Sequence, residues 1–326
     1  MHGQITDVPG VKVGNQEDKS ALTGCTAILF EQGGVAGVDV RGSAPGTRET
    51  DLLNPINLVE KVHGICLSGG SAFGLDAASG VMQYLEEHGI GLDVGVAKVP
   101  IVPAAVLFDL AQGDAQVRPD KKMGYQAAAA ATNGKFTVGN AGAGCGATVG
   151  KLAGGEFCMK GGLGSASSRL ENGLVVGAIV AVNPAGDVRD PSTGKIIAGP
   201  YLKEEGVLLD SIKVLEKKYQ PTIPIGTNTT IGVVAVNADL TKAEATKVAQ
   251  MAQDAYARTI YPSHTLFDGD TVFAVGTGGE KMPVDVIGAL AAKVMEMAIL
   301  NAVKSAESIA GIIAYLDLLS MKKEPE

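Results

Sequence analysis

Short apolar runs of β-type residues, at 26–30, 64–67, 174–182, 232–236 and 271–275, alternate with glycine-rich turns along a chain of 326 residues that holds 44 glycines. Runs of this length between turn signals are strands buried on one or both faces. So many glycines imply many close backbone approaches. Three helical patterns lie among the strands. One covers 72–87, with Ser71 as N-cap and Gly89 as its stop. A second starts at Thr241 with Glu244 in capping-box position and puts Val248, Met251, Ala252, Ala255 and Tyr256 on one stripe. The third opens after Pro283, with Ile287, Leu290, Ala291, Val294 and Ala298 at helical spacing. Apolar strands with amphipathic helices predict layers of α and β.

Composition narrows the function. Hydrophobic residues at 46% and charged residues at 19% exclude a disordered or coiled-coil chain. A net charge of −8 argues against nucleic acid or an anionic membrane as partner. With 4% aromatics and no Trp, a base- or sugar-stacking platform is not expected. The opening residues lack the basic and apolar regions of a secretory signal, and apolar stretches such as 173–182 fall short of a membrane span, so a cytoplasmic protein is expected. Cys25, Cys66, Cys145 and Cys158 form no closely spaced pair, which reads as buried small hydrophobes rather than a disulfide framework or zinc site. No cofactor or metal is expected.

Several familiar motifs fail. The stretch 139–151 (GNAGAGCGATVGK) has Cys145 and Leu152 where a phosphate loop needs Gly and Ser/Thr. As a dinucleotide fingerprint it has Gly142 and Gly144 followed by Ala147, without the later acidic residue at a strand end. Ser68 and Ser71 precede a helix but do not form a nucleophile elbow. A serine triad also needs an imidazole. Of His2, His63, His88 and His264, only His63 and His264 are candidates.

A stronger lead follows the charge-rich segment 203–220, read as a surface helix, and a loop with Pro221, Pro224 and Gly226. There a polar linker runs straight into an apolar strand at Asn228-Thr229-Thr230, which is how a self-cleaving precursor is laid out. The Thr229 hydroxyl can attack the Asn228 carbonyl, and hydrolysis of the ester leaves Thr229 as a new N-terminus carrying nucleophile and amine on one residue. An α-amine of unperturbed pKa about 7.7–8.0 supplies a base near neutrality, so such an enzyme needs no histidine. Downstream, Asp268-Gly269-Asp270 puts two carboxylates two residues apart before a strand. Paired carboxylates do not both ionise readily, and one keeps a proton. The same residues also suit an ordinary Asp-Gly turn.

In order, these motifs resemble the self-processing L-aminopeptidase/D-esterase family, which includes β-peptidyl aminopeptidases and nylon-oligomer (6-aminohexanoate oligomer) hydrolases. The resemblance covers nearly the whole chain: Ile5-Thr6-Asp7-Val8-Pro9-Gly10-Val11-Lys12-Val13-Gly14, Arg41-Gly42-Ser43-Ala44-Pro45-Gly46-Thr47-Arg48-Glu49-Thr50, Leu67-Ser68-Gly69-Gly70-Ser71-Ala72-Phe73-Gly74-Leu75, Val102-Pro103-Ala104-Ala105-Val106, Gly146-Ala147-Thr148-Val149-Gly150-Lys151, then Asn228-Thr229-Thr230 and Asp268-Gly269-Asp270. It implies one α+β domain over 1–326, a four-layer αββα sandwich similar to the N-terminal-nucleophile hydrolases with different connectivity. It further implies cleavage into 1–228 and 229–326 and a homo-oligomer of processed heterodimers. By the same resemblance Thr229 is the nucleophile, Asp268 and Asp270 its acidic partners, Lys151 and Asn183 active-centre residues, and Tyr125 a substrate-binding residue.

Read locally, Lys151 closes a glycine-rich turn where a cation can stabilise developing negative charge, or is an ordinary surface lysine. Asn183 ends an apolar strand before Pro184, where its amide can serve as an oxyanion donor or simply a turn residue. Aminopeptidase members of the family cut before a Ser that follows Gly and carry Ser-Gly-Glu. Asn228-Thr229 and Asp-Gly-Asp resemble the nylon-oligomer branch instead, which does not establish the native substrate. The expectation is an autoprocessed amide hydrolase acting on a small peptide or amide. An acyltransferase of the ornithine acetyltransferase type and a non-catalytic binding protein are the rivals.

Overall fold

The computed structural model describes residues 1–217 and 228–321. Nine strands form its main sheet: β1 (Lys12–Asp18), β2 (Thr23–Val40), β3 (Gly46–Arg48), β4 (Lys61–Ser68), β5 (Ala104–Val106), β6 (Gly162–Arg169), β7 (Val175–Asn183), β8 (Thr229–Ala238) and β9 (Thr271–Glu280). The helices are α1 (Ala77–Glu87), α2 (Lys121–Ala129), α3 (Ser211–Lys217), α4 (Lys242–Ala252), α5 (Asp254–Thr259), α6 (Val284–Lys304) and α7 (Tyr315–Met321). The spatial order is β6-β7-β8-β9-β2-β4-β5-β3, with β1 also paired to β2. Four of the five predicted apolar runs lie inside these strands, and the fifth, 174–182, begins one residue before β7.

Period-2 alternation divides the core into layers. Ile179 and Ala181 of β7, Ile231 and Val233 of β8 and Phe273 of β9 share one apolar cluster with Ile28, Phe30, Ile65 and Leu67. Val180, Val234 and Val272, on the opposite face, pack with α4 and α6 through Val248, Ala252, Ala291 and Ala298. Ala27, Leu29 and Cys66 face α1 and α2 through Ala78, Val81 and Ala128. The result is the expected αββα sandwich, with one refinement. The long β2 belongs to both β layers and joins them into a single hydrogen-bonded sheet.

The capping box at Thr241 is present: its side chain accepts from the Glu244 N–H and the Glu244 carboxylate receives the Thr241 N–H. Gly89 follows α1 at φ +69°, as a left-handed stop requires. Ser71 departs from expectation. It is not an N-cap; it sits at φ +54° and opens a 3₁₀ turn, Ser71–Asp76, before α1 begins. α6 spans 21 residues and is apolar enough by length and composition to cross a bilayer, a stretch longer than the sequence reading allowed for. Its apolar stripe is buried against the sheet instead. Glycine lets it approach closely: a Cβ on Gly164 of β6 would lie 2.0 Å from the Ala298 carbonyl oxygen. The four cysteines are free and buried. In the segment 203–220, read as a surface helix, Val207–Leu208 pairs with the preceding Tyr201–Leu202 and Ser211–Lys217 forms α3, while 218–220 and Pro221, Pro224 and Gly226 of the loop lie outside the described residues.

Candidate active site

Thr229 opens β8 in the middle of the sheet, antiparallel to β7 with Asn183 directly opposite. Both Asn228 and Thr229 are buried. The Thr229 hydroxyl donates to the carbonyl oxygen of Asn228, so nucleophile and candidate scissile group are already in contact. The Gly269 N–H donates to the same carbonyl oxygen at 3.0 Å and lies 3.2 Å from Thr229 Oγ1. One backbone donor therefore faces both the oxygen that would gain charge and the oxygen that would attack.

The segment carrying Gly269 is held on both sides. Asn228 and Asp268 form a parallel bridge. Across from it, the Arg41 and Gly42 N–H groups donate to the Asp270 carbonyl at 3.0 and 3.3 Å, and the Ala44 N–H donates to that of Asp268 at 2.9 Å. Gly42 is required here, because a Cβ would lie 2.3 Å from the Asp270 nitrogen. That clamp gives a structural reason for the Arg41–Ala44 motif.

The two carboxylates have different surroundings. Asp270 receives the Thr230 N–H at 2.8 Å on Oδ1, and the backbone N–H and ring Nδ1 of His264 at 3.1 and 2.9 Å on Oδ2. Among the described residues Asp268 receives only the Thr265 N–H and hydroxyl, at 2.8 and 2.6 Å, both on Oδ2. Its Oδ1 is buried without a hydrogen-bond partner among the described residues. Burial, reinforced by the charge of Asp270, raises the Asp268 carboxyl from 3.8 to about 6.

A pH dependence of stability follows. The folded carboxyl of Asp268 holds its proton up to about 6, while an unfolded one releases it near 3.8. Its stabilising contribution is complete below 3.8 and is lost as pH rises through about 6, amounting to up to roughly 3 kcal/mol. In a Thr229→Ala background, Tm should fall more between pH 4 and 7 with Asp268 than with Asp268→Asn. Parallel curves would contradict this assignment. Asp109, also raised to about 6 by burial, is common to both proteins and cancels from the comparison.

Lys151 is buried, not a surface lysine. Its Nζ donates to Asn183 Oδ1 at 2.9 Å, the Asn183 carbonyl at 3.1 Å, the Thr148 carbonyl at 2.8 Å and Thr148 Oγ1 at 3.1 Å. Burial lowers it from 10.5 to about 7, against the opposing pull of nearby groups including Asp268. Asn183 accepts from the Thr148 N–H at 2.9 Å as well, and its Nδ2 donates to the Phe108 carbonyl at 3.0 Å. Its amide is thus a strut between Lys151 and the Phe108 loop rather than a donor aimed at an open site.

This geometry can be set beside known proteins. A model of peptidase family S58 matches residues 3–314. The chain belongs to peptidase family S58. This S58 peptidase is 42% identical to an uncharacterised aminopeptidase of Mycobacterium tuberculosis over 96% of this chain and 97% of that one. It is 33% identical to a 6-aminohexanoate-oligomer endohydrolase of a Kocuria species, over 91% of this chain and 85% of the other. Its fold is similar to that of the L-aminopeptidase D-Ala-esterase/amidase of Ochrobactrum anthropi, described as a variant of the Ntn-hydrolase fold, with a TM-score of 0.70, 17% identity and 98% and 94% of the two chains covered. It is accordingly a hydrolase of peptide or related amide bonds.

In this S58 peptidase the fold brings Thr229, Asn228, Asn183, Lys151, Asp268 and Asp270 together. Tyr125 stands apart: its hydroxyl donates to Glu87 at 2.7 Å on the α1–α2 face, and it does not line the pocket over Thr229. That pocket, about 230 Å³, is lined by Thr229 with Ala44, Pro45, Gly46, Ser71, Ala72, Val106, Leu107 and Phe108. A larger cavity of about 630 Å³ lies beside α3, lined by Phe157, Leu208 and Val214 among others, and none of the predicted site residues borders it. The smaller pocket is the relevant one because the nucleophile is in its wall.

Sequence reasoning missed three features. His264 partners Asp270 instead of serving a serine triad. Gly269 contributes through its backbone N–H, which no side-chain motif announces. Asp109 receives the Gly70 N–H at 2.7 Å and the Thr23 hydroxyl at 2.8 Å, fixing the turn that presents Ser71 to the pocket. The closeness of His264 to the Asp-Gly-Asp motif in the chain was the only signal available for it.

Proposed function

We propose that this S58 peptidase is an autoprocessed N-terminal-threonine amide hydrolase. The observation carrying the reading is the placement of the Thr229 hydroxyl against the Asn228 carbonyl, with the Gly269 N–H on the same oxygen. In processing, a bond forms between Thr229 Oγ1 and the Asn228 carbonyl carbon while the bond to the Thr229 nitrogen breaks. The hydroxyl proton ends on that nitrogen. Water then opens the ester, leaving the Asn228 carboxylate and a free Thr229 amine.

In turnover the freed amine accepts the Thr229 hydroxyl proton as the oxygen attacks a substrate amide, then returns a proton to the leaving amine. The acyl-threonine ester is hydrolysed by the same route in reverse. Lys151, held by Asn183 and Thr148, supplies positive potential near the site. Among the described residues none lining the pocket is charged, and most are small, which suits a short neutral acyl chain better than a charged or bulky one. Linear amides such as aminohexanoate oligomers and small aminoacyl amides are the substrates to screen.

Intact mass under denaturing conditions tests the reading. Two species matching 1–228 and 229–326 are expected, the second with Thr229 at its N-terminus. A single full-length species that persists on long incubation would refute it.

A further inference from the structure

We propose that His264 is a positioning residue of this site, which assigns the shared proton of the carboxylate pair to Asp268 by holding Asp270 as the charged member. The inference rests on the processed-threonine reading and deepens it. His264 reaches one oxygen twice: its backbone N–H and its ring Nδ1 both lie on Asp270 Oδ2, at 3.1 and 2.9 Å. This double contact depends on the backbone, because His264 adopts φ +57°, a left-handed conformation uncommon outside Gly, with Asn, Asp and His the side chains that enter it most readily. With the Thr230 N–H on Oδ1, Asp270 collects three N–H donors, a set that suits an ionised carboxylate. Among the described residues Asp268 has donors on one oxygen only, and on this proposal the proton sits on its buried Oδ1.

The imidazole is fixed from its other side. It stacks on Tyr256 of α5, with centroids 6.1 Å apart and planes 27° from parallel. Donation to an ionised Asp270 requires the hydrogen on Nδ1. His264 Nε2 and the Tyr256 hydroxyl are buried with no hydrogen-bond partner among the described residues. The titratable groups around this unit are Asp270 and Asp268 on the loop before β9, Tyr256 on α5, and Lys151, whose charge is felt at Asp268. His264 does not touch the scissile bond; it acts through Asp270, which in turn holds the Thr230 N–H next to the nucleophile.

Three substitutions isolate this role, since Asn, Asp and Gly all tolerate the left-handed backbone. Only Asn offers an N–H where Nδ1 stands. The primary readout is the rate at which freshly made full-length chain converts to two fragments, which needs no substrate to be identified. His264→Asn should process within about threefold of wild type. His264→Gly and His264→Asp should be slowed on the order of 10²-fold, with the acidic limb of the rate–pH profile moved to higher pH. On processed protein with an aminohexanoate oligomer, kcat should follow the same order while KM stays level. Wild-type processing rates in the Gly and Asp variants, or equal losses in all three tracking a common fall in Tm, would overturn the proposal. If the Gly variant fails to fold, the isosteric Asn and Asp pair decides alone. A wild-type chain that never processes refutes the underlying reading instead.

Discussion

Thr229→Ala is expected to remain one chain of 326 residues and to hydrolyse no amide. The substitution removes only the hydroxyl and one methyl from a buried position at the head of β8, and strand pairing with β7 and β9 does not depend on either. The Gly269 N–H keeps the Asn228 carbonyl as acceptor, so no backbone donor is stranded. Folding should therefore survive while both chemical steps stop, processing for want of a nucleophile and turnover for want of a free N-terminal amine and hydroxyl. Thr229→Ser retains the hydroxyl and should still process, within about tenfold of wild type. The pair also separates rivals. An acyltransferase would lose activity in Thr229→Ala just as a hydrolase would, so the wild type must be given water alone and then an added amine acceptor, and the products compared. A binding protein would retain saturable ligand binding in the Ala variant with no turnover in either form. Wild-type hydrolysis by Thr229→Ala would exclude the mechanism and return attention to Ser68 and Ser71.

Much of this arrangement was legible because it is written in local chemistry. Apolar runs became strands where burial on two faces demanded them, and the Thr241–Glu244 box capped a helix because its side chains satisfy orphan N–H groups without help from elsewhere. Thr229, Asn228 and the two aspartates stood out through residue type and order. What was not legible depends on distant parts of the chain. Ser71 looked like a cap, but its conformation is set by the Leu107 carbonyl, which receives its N–H, and by Asp109 holding Gly70. Read from its neighbours alone, Lys151 favoured an ordinary surface lysine; the fold buries it and supplies Asn183 as acceptor. Asn183 was weighed as a donor into the site or a turn residue, and only the fold shows its amide committed to Phe108. His264 was weighed for the wrong partner because a triad motif points to serine, whereas the left-handed turn at His264 folds it back onto Asp270.

Gly269→Ala should abolish most processing while leaving the protein folded. The position was read as part of an Asp-Gly turn, yet its demand for glycine comes from the nucleophile. A Cβ there would lie 2.8 Å from Thr229 Oγ1 and 2.7 Å from the Ala44 carbonyl oxygen. Neither neighbour is a flexible side-chain end that yields cheaply: one is the attacking atom and the other belongs to the backbone that clamps Asp268. Relief requires the 268–270 segment to move away from Asn228, which lengthens the 3.0 Å contact between the Gly269 N–H and the scissile carbonyl. Losing one preorganised oxyanion donor slows acyl transfer by about 10²–10³-fold, and displacement of the hydroxyl adds to this. The measurement is the half-time for appearance of the two fragments, alongside Tm of the precursor. A slowed rate with Tm close to that of Thr229→Ala would place the defect in the chemistry. A variant that processes at the wild-type rate would show that the Gly269 N–H is not the donor the scissile bond uses, and the search for that donor would pass to the backbone around Phe108, which lines the pocket with Thr229.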